Sequence, residues 1–220
     1  MNISACLTSC NRFNLLERTL DSFFKLNTYP IQKFYIIEDS TKLEMKEKII
    51  SKYGDKVELI FNDINLGPYK SIDKVYNLID TEYIFHCEDD WSFDSNPNFI
   101  KESISILEER KDIHQIWFRK DADSSWIESN EQNVNGVSFK MLKVPHCGDW
   151  NGFSLNPHVK RLSDYKLMFP NGYQEFILKD KSIVFTEHNC MRNADKFNYR
   201  AALLNNRCCQ HIGHGQSTYA

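Results

Sequence analysis

"EYIFHCEDDW", residues 82–91, decides how the rest of the chain is read. Its aromatic and β-branched run has the composition of a buried strand. It ends abruptly in three adjacent acids, Glu88, Asp89 and Asp90, and then Trp91. Folding does not require three like charges at the end of a buried strand, where each raises the proton affinity of the others. The cluster becomes tolerable when a divalent cation sits among the carboxylates. Mg2+ or Mn2+ takes oxygen ligands and usually shares them with substrate phosphates. The competing reading is a solvated turn, the commoner fate of a charge run at a strand end.

Outward from this strand the chain alternates. Residues 2–8 read as a first buried strand, and "NRFNLLERTLDSFFKL" follows with apolar residues at Phe13, Leu16, Leu20, Phe23 and Phe24, a helical period. Asn11 or Asn14 is placed to cap that helix. "KFYIIEDS" is a second strand ending in acids, "KLEMKEKIISKYG" a helix stopped at Gly54, and "KVELIFN" a third strand. "GPYKSIDKVYNLI" contains the helix before the acid-tipped strand. "NPNFIKESISILEER" and "HQIWFRKD" then give one more helix and strand. The pattern predicts an α/β fold, a largely parallel sheet with helices on both faces.

The second part is less regular. "DADSSWIESNEQNVNG" reads as an exposed loop or short hairpin and "VSFKMLKV" as a strand. "GDWNGFSLNP" reads as a short strand ending at Pro157. A helix is expected from "NGYQEFILKD" after Gly172, a late strand from "SIVFTEHN", and a polar tail with glycines around a histidine. No linker divides the chain, so one domain is expected, with residues 1–95 and 96–220 as its two halves.

Composition excludes several classes. The 220 residues are 41% apolar and 26% charged, with formal net charge −3, so no global basic field attracts nucleic acid. The seven cysteines show no metal-pair spacing and read as reduced thiols of a cytoplasmic protein. Neither a signal peptide nor a membrane-spanning run is read. The first turn, "TSCNRFN", lacks the glycines of a dinucleotide site and the Gly-Lys-Ser/Thr of a P-loop.

Ligands of parallel sheets bind beyond the carboxyl ends of the strands. Thr8, Ser9, Asn11 and Arg12 follow the first strand, Glu38 and Asp39 end the second, and Glu88, Asp89 and Asp90 end the fourth. Three separate stretches thus meet at one edge, and a phosphate or diphosphate compound held through metal is the expected substrate. Lys70 follows a Gly-Pro turn near that edge and is read as a ligand contact or a solvated side chain. Arg192 is read as a phosphate contact or as a partner of Asp195, and Trp150 as a sugar-stacking ring or a core indole.

These residues resemble a known family. "ISACLTSCNRFNLLERTLDSF", "FYIIEDSTK" and "NDINLGPYKSIDKVYNLIDTEYIFHCEDDW" are similar, in order, to the opening blocks of GT-A fold glycosyltransferases of family 2, the inverting sugar transferases. The resemblance implies a Rossmann-like GT-A sheet with a smaller acceptor-side region. It places Asp39 at the nucleotide base and Asp90 as direct metal ligand. Glu88, in place of the usual Asp, would reach the metal through water or turn to the sugar. It makes Glu175 of "FPNGYQEFILKD" the general base, and brings His211 or His214 of "HIGHG" to the diphosphate or metal.

The implied cofactor is Mn2+ or Mg2+ and the donor a nucleoside diphosphate sugar, a UDP-sugar favoured. The implied acceptor is a saccharide or glycolipid, approached from the surface where it is membrane-bound. A monomer or homodimer is expected. The alternatives are a retaining GT-A transferase, a nucleotidyltransferase and an inactive sugar- or nucleotide-binding domain.

Overall fold

The computed structural model describes residues 1–143, 152–177 and 183–216. Its first half follows the alternation read from the sequence: β1 (Ile3–Ser9), α1 (Phe13–Leu26), β2 (Phe34–Glu38), α2 (Leu43–Tyr53), β3 (Glu58–Phe61), α3 (Pro68–Tyr76), β4 (Tyr83–Glu88), β5 (Trp91–Phe93), α4 (Phe99–Glu109) and β6 (Ile113–Trp117). The hairpin reading of the middle is borne out by β7 (Ile127–Val134) and β8 (Val137–Leu142), which pair antiparallel. The remainder comprises β9 (His158–Arg161), α5 (Leu162–Met168), a 3-10 turn at Tyr173–Phe176, α6 (Ile183–Lys196), β10 (Arg200–Leu204) and β11 (Cys209–His211).

Nine strands form one sheet in the order β3-β2-β1-β4-β9-β6-β10-β8-β7, and β5 and β11 form a separate ribbon. β1, β2, β3 and β4 are mutually parallel, so their carboxyl ends share one edge. β9 enters antiparallel between β4 and β6. Its side chains alternate between the two faces in step with their partners, Val159 beside Phe85 and Lys160 beside Ile84, and all four of its residues are buried.

That alternation makes two cores. Ala5, Leu7, Ile36, Tyr83 and Phe85 join Leu16, Leu20 and Phe23 of α1 and Ile104 and Leu107 of α4 on one face. Cys6, Tyr35, Ile37 and Ile84 join Ile72, Val75 and Tyr76 of α3, Tyr165 of α5 and Cys190 and Met191 of α6 on the other. Phe23 is the hub of the first core, its ring centroid 4.9 Å from Phe85, 5.3 Å from Phe34, 5.5 Å from Phe93 and 6.2 Å from Phe99.

Five expectations are corrected. Neither Asn11 nor Asn14 caps α1. Arg12 holds the N-cap position without a side-chain cap, and Asn11 turns the chain with φ 57°. The strand placed before Pro157 follows it, as β9; Trp150 of that stretch lies outside the described residues. The helix expected after Gly172 is a 3-10 turn of four residues, fastened to α3 where the Asp73 carboxylate accepts the Tyr173 and Gln174 N–H groups at 2.9 Å. "SIVFTEHN" opens α6, because buried Thr186, Cys190, Met191 and Ala194 recur at helical spacing. The tail contains two strands, β10 and β11, where only polar chain was expected.

Lys160 of β9 is buried in the second core. Its Nζ donates to the Tyr173 hydroxyl at 2.7 Å and lies 5.2 Å from the Tyr76 ring centroid. Burial lowers its pKa to about 7, against smaller upward pulls from Cys6, Cys190, Asp164 and Asp73. The unfolded chain keeps this proton up to about pH 10.4. Between about pH 7 and 10 the unfolded state therefore binds more protons, and this residue makes stability rise with pH. Lys160→Met should flatten that rise in denaturant titrations at pH 7 and pH 9, whereas a slope equal to the parent's would mean that Lys160 stays charged in the folded state. Independently, Phe23→Ala should cost about 3–5 kcal/mol of unfolding free energy. A loss under about 1 kcal/mol would show that the five-ring cluster is not closely packed.

Candidate functional site

The shared edge of β1, β2 and β4 is built from acids that are pinned before any ligand arrives. Glu38, at the end of β2, accepts the Asn11 N–H at 2.8 Å and the Ser40 N–H at 2.9 Å through Oε1. It thus ties the turn after β1 to the turn after β2, and its Oε2 is buried with no partner. Asp39 accepts from Asn62 Nδ2 at 2.7 Å and from the Leu66 and Gly67 N–H groups at 2.8 Å each. It fixes the Asn65–Gly67 turn that starts α3, where Gly67 takes φ 79°.

The acids after β4 are held by α1 and by the tail. The Thr19 hydroxyl donates to the Asp89 carbonyl at 2.8 Å and accepts the Trp91 N–H at 3.0 Å, which fixes the turn between β4 and β5. The Arg12 guanidinium grips the Asp89 carboxylate through Nε and Nη2 and meets Asp90 Oδ2 through Nη1 at 2.9 Å. Ribbon pairing sets His211 opposite Trp91, and His211 Nε2 lies 3.3 Å from Asp90 Oδ2. The Asp90 carbonyl accepts the Ile212 N–H at 2.8 Å. A Cβ at Gly213 would stand 2.6 Å from Asp90 Oδ2, so a glycine is required for the tail to close this tightly.

The electrostatics follow from burial. Glu88 is pushed well above the usual carboxylate range by burial, then by Asp90, Glu187 and Asp89, with Arg12 opposing. Asp89 is pushed up to about 7 by burial even with Arg12 beside it.

Thr8, Ser9, Arg12, Glu88 and Asp89 line one small crevice together with Cys10 and Pro68. Asp90 and His211 stand beside it, with the exposed His214 ring 4.7 Å from that of His211. Asn11 is exposed at the rim of a neighbouring hollow that Arg12 and Gln216 also line. Lys70 is exposed on the first turn of α3, and Arg192 is exposed on α6. Glu175 is exposed, with Oε1 accepting from Asn171 Nδ2 at 2.6 Å. A larger hollow of about 530 Å3 lies at the other ends of β2 and β3, lined by Phe24, Lys33, Asp55 and Glu58, away from the acid edge.

Three further residues reach the site. Glu187 of α6 is one of the charges that raise the proton affinity of Glu88. Its Oε1 accepts the Leu155 N–H at 3.0 Å, and burial raises its own proton affinity. The Tyr69 hydroxyl meets the Glu187 backbone. Arg119 lies 5.2 Å over the Trp91 ring and lowers the proton affinity of Glu187. A helical reading of Thr186, Cys190, Met191 and Ala194 would have put Glu187 on a buried helix; reading a strand there concealed it.

Among the described residues no group of three or more His, Cys, Asp or Glu side chains is arranged as a metal cluster. One feature does fit a hard cation. Asp90 Oδ1 is buried and unpartnered, an oxygen donor of the kind Mn2+ or Mg2+ takes, beside an imidazole on the other oxygen's side.

Among the described residues no helix is long and apolar enough to cross a membrane. No curated protein sequence matches the chain. Solved structures do. S. aureus TarS 1–349 is 14% identical with TM-score 0.65, the match covering 97% of this chain and 61% of that one. Its complex with UDP-GlcNAc is 13% identical with TM-score 0.64, covering 99% and 62%. The mannosyltransferase PcManGT from Pyrobaculum calidifontis, in complex with GDP-Man and Mn2+, is 10% identical with TM-score 0.64, covering 98% and 58%. The chain spans about three fifths of the length of these proteins, and the likeness shows a shared GT-A architecture. The family model described as Glycosyl transferase family 2 matches residues 4–199, nearly the whole of the sheet that builds the acid edge, and the chain belongs to that family.

Proposed function

We propose that this chain is a glycosyltransferase that moves a sugar from a nucleoside diphosphate sugar to a hydroxyl of a saccharide or lipid-linked saccharide. In this reading transfer inverts the anomeric centre, and Mn2+ or Mg2+ is held by Asp90 with His211 and Glu88 beside it. The observation that carries the reading is Asp90 itself. One of its oxygens is shared by Arg12 and His211, and the other is buried with no partner. Similar structures support the donor class: TarS is seen with UDP-GlcNAc and PcManGT with GDP-Man and Mn2+. UDP remains the favoured nucleotide, with Asp39 at its base. The buried cysteines of the described residues, read as reduced thiols, agree with work in a reducing cytoplasm, at a membrane surface where the acceptor is lipid-linked.

The cation, when bound, stabilises the charge that develops on the leaving diphosphate. The chain's residues position and deprotonate. The acceptor oxygen bonds to the anomeric carbon, the bond from that carbon to the diphosphate oxygen breaks with its electron pair leaving on the diphosphate, and the acceptor proton passes to a carboxylate.

We assign that carboxylate to Glu187 ahead of Glu175. Glu187 faces Glu88 electrostatically and is held by the Leu155 N–H, whereas Glu175 is exposed and bonded by Asn171. Burial raises the proton affinity of Glu187, which favours its taking a proton from a hydroxyl.

The test is release of nucleoside diphosphate from a panel of UDP-, GDP- and dTDP-sugars, with and without Mn2+. A Mn2+-dependent signal from a UDP-sugar is expected, and no release from any donor would refute the activity. Glu187→Gln should lower turnover by about 10²–10⁴-fold with donor affinity retained, and Glu175→Gln should leave turnover at the parental level. The reverse pattern returns the base to Glu175. Retained anomeric configuration in the product, read by NMR, would reject inversion.

A further inference from the structure

Arg12 is engaged on three sides. It takes both carboxylate oxygens of Asp89, reaches Asp90 Oδ2 at 2.9 Å, and through the same Nη1 donates to the Gln216 carbonyl at 3.1 Å. Its side chain is only 15% exposed, so the charge is spent on these partners and not on water. It is positioned by the turn after β1, where Asn11 takes positive φ and its N–H is fixed by Glu38. The first turn of α1 begins immediately after it. The guanidinium fork matches this work: it is planar, always charged and able to bond several oxygens at once.

We propose that Arg12 is a positioning residue, the resident counter-ion of the Asp89–Asp90 pair, which a divalent cation must push aside to bind Asp90 and whose displacement releases residues 212–216. The proposal rests on the reading of Asp90 as the metal-binding carboxylate and deepens it. A cation arriving at Asp90 Oδ1 meets a like charge already bonded to Oδ2 of the same group. Repulsion at that distance in a buried site is strong, so the two cations compete. The atom that loses Asp90 is the atom that holds the Gln216 carbonyl, so the loss reaches residues 212–216, which otherwise pack on Asp90 through the Ile212 N–H and Gly213. In the absence of the cation Arg12 bridges Asp89 and Asp90 and holds the tail closed over them.

The experiment titrates Mn2+ alone into the full chain and into Arg12→Met by calorimetry, with hydrogen exchange followed at residues 212–216. Arg12→Met should bind Mn2+ at least about tenfold more tightly than the parent, because a neighbouring like charge is gone. Exchange at 212–216 should be faster in metal-free Arg12→Met than in the metal-free parent, and should quicken in the parent when Mn2+ is added. Equal or weaker Mn2+ binding by a folded Arg12→Met overturns the proposal. Should that variant fail to fold, Arg12→Lys decides: it keeps the charge but not the fork, so Mn2+ affinity should stay near the parent's while exchange at 212–216 rises. Unchanged exchange overturns the coupling to the tail. If the parent binds Mn2+ and Arg12→Met binds no more tightly, the proposal fails and the metal reading stands. If neither binds, both fail.

Discussion

Charge balance at the end of β4 is the constraint on which the rest depends. Glu88, Asp89 and Asp90 are placed by a buried strand and a turn pinned by Thr19, so they cannot separate by moving into water. Burying such a cluster without compensation costs several kcal/mol per charge. Arg12 meets the demand from one side, and His211 Nε2 stands 3.3 Å from Asp90 Oδ2 on the other, the two coming from opposite ends of the sequence. The fold therefore brings residues about two hundred positions apart to a single carboxylate, Asp90.

The other two acids of the edge have a different standing. Glu38 and Asp39 both accept backbone N–H groups, and their charge serves first to fix the turns after β1 and before α3. Asp39 is a carboxylate already oriented by three donors, so in the proposed reading a nucleotide meeting it incurs less ordering cost. The same arrangement means that substituting Asp39 would loosen the Leu66–Gly67 turn as well as remove a contact. Glu187, on a helix whose buried face joins the second core, adds a further negative charge near Glu88.

The first half of the fold was legible because its apolar positions repeat at clean strand and helix periods, as in "NLLERTLDSFF" and "FYIIED". The acids were legible because nothing in folding calls for them. The later elements were not. β9 carries Lys160 and Arg161, charged residues that are nonetheless buried and so do not read as a strand interior. α6 opens with Ile183 and Val184, which read as β, and its buried stripe is threonine, cysteine, methionine and alanine. β10, "RAALL", is a strand by pairing between β6 and β8, with little β propensity of its own. The contact of Arg12 with Asp89 spans 77 positions and leaves no local trace, so its pairing with the acids could not be read from the sequence. The tail histidine was anticipated from family resemblance; its seat against Asp90 follows from β11 pairing with β5.

The central claim is that Asp90 holds the cation through which a nucleoside diphosphate is bound at this edge. Calorimetric titration of UDP in the presence of Mn2+, into the parent and into Asp90→Asn, tests it most directly. Saturable, Mn2+-dependent binding to the parent is expected, with loss of most of that binding in a variant whose unfolding transition is unchanged. Equal UDP affinity in the two proteins would contradict it.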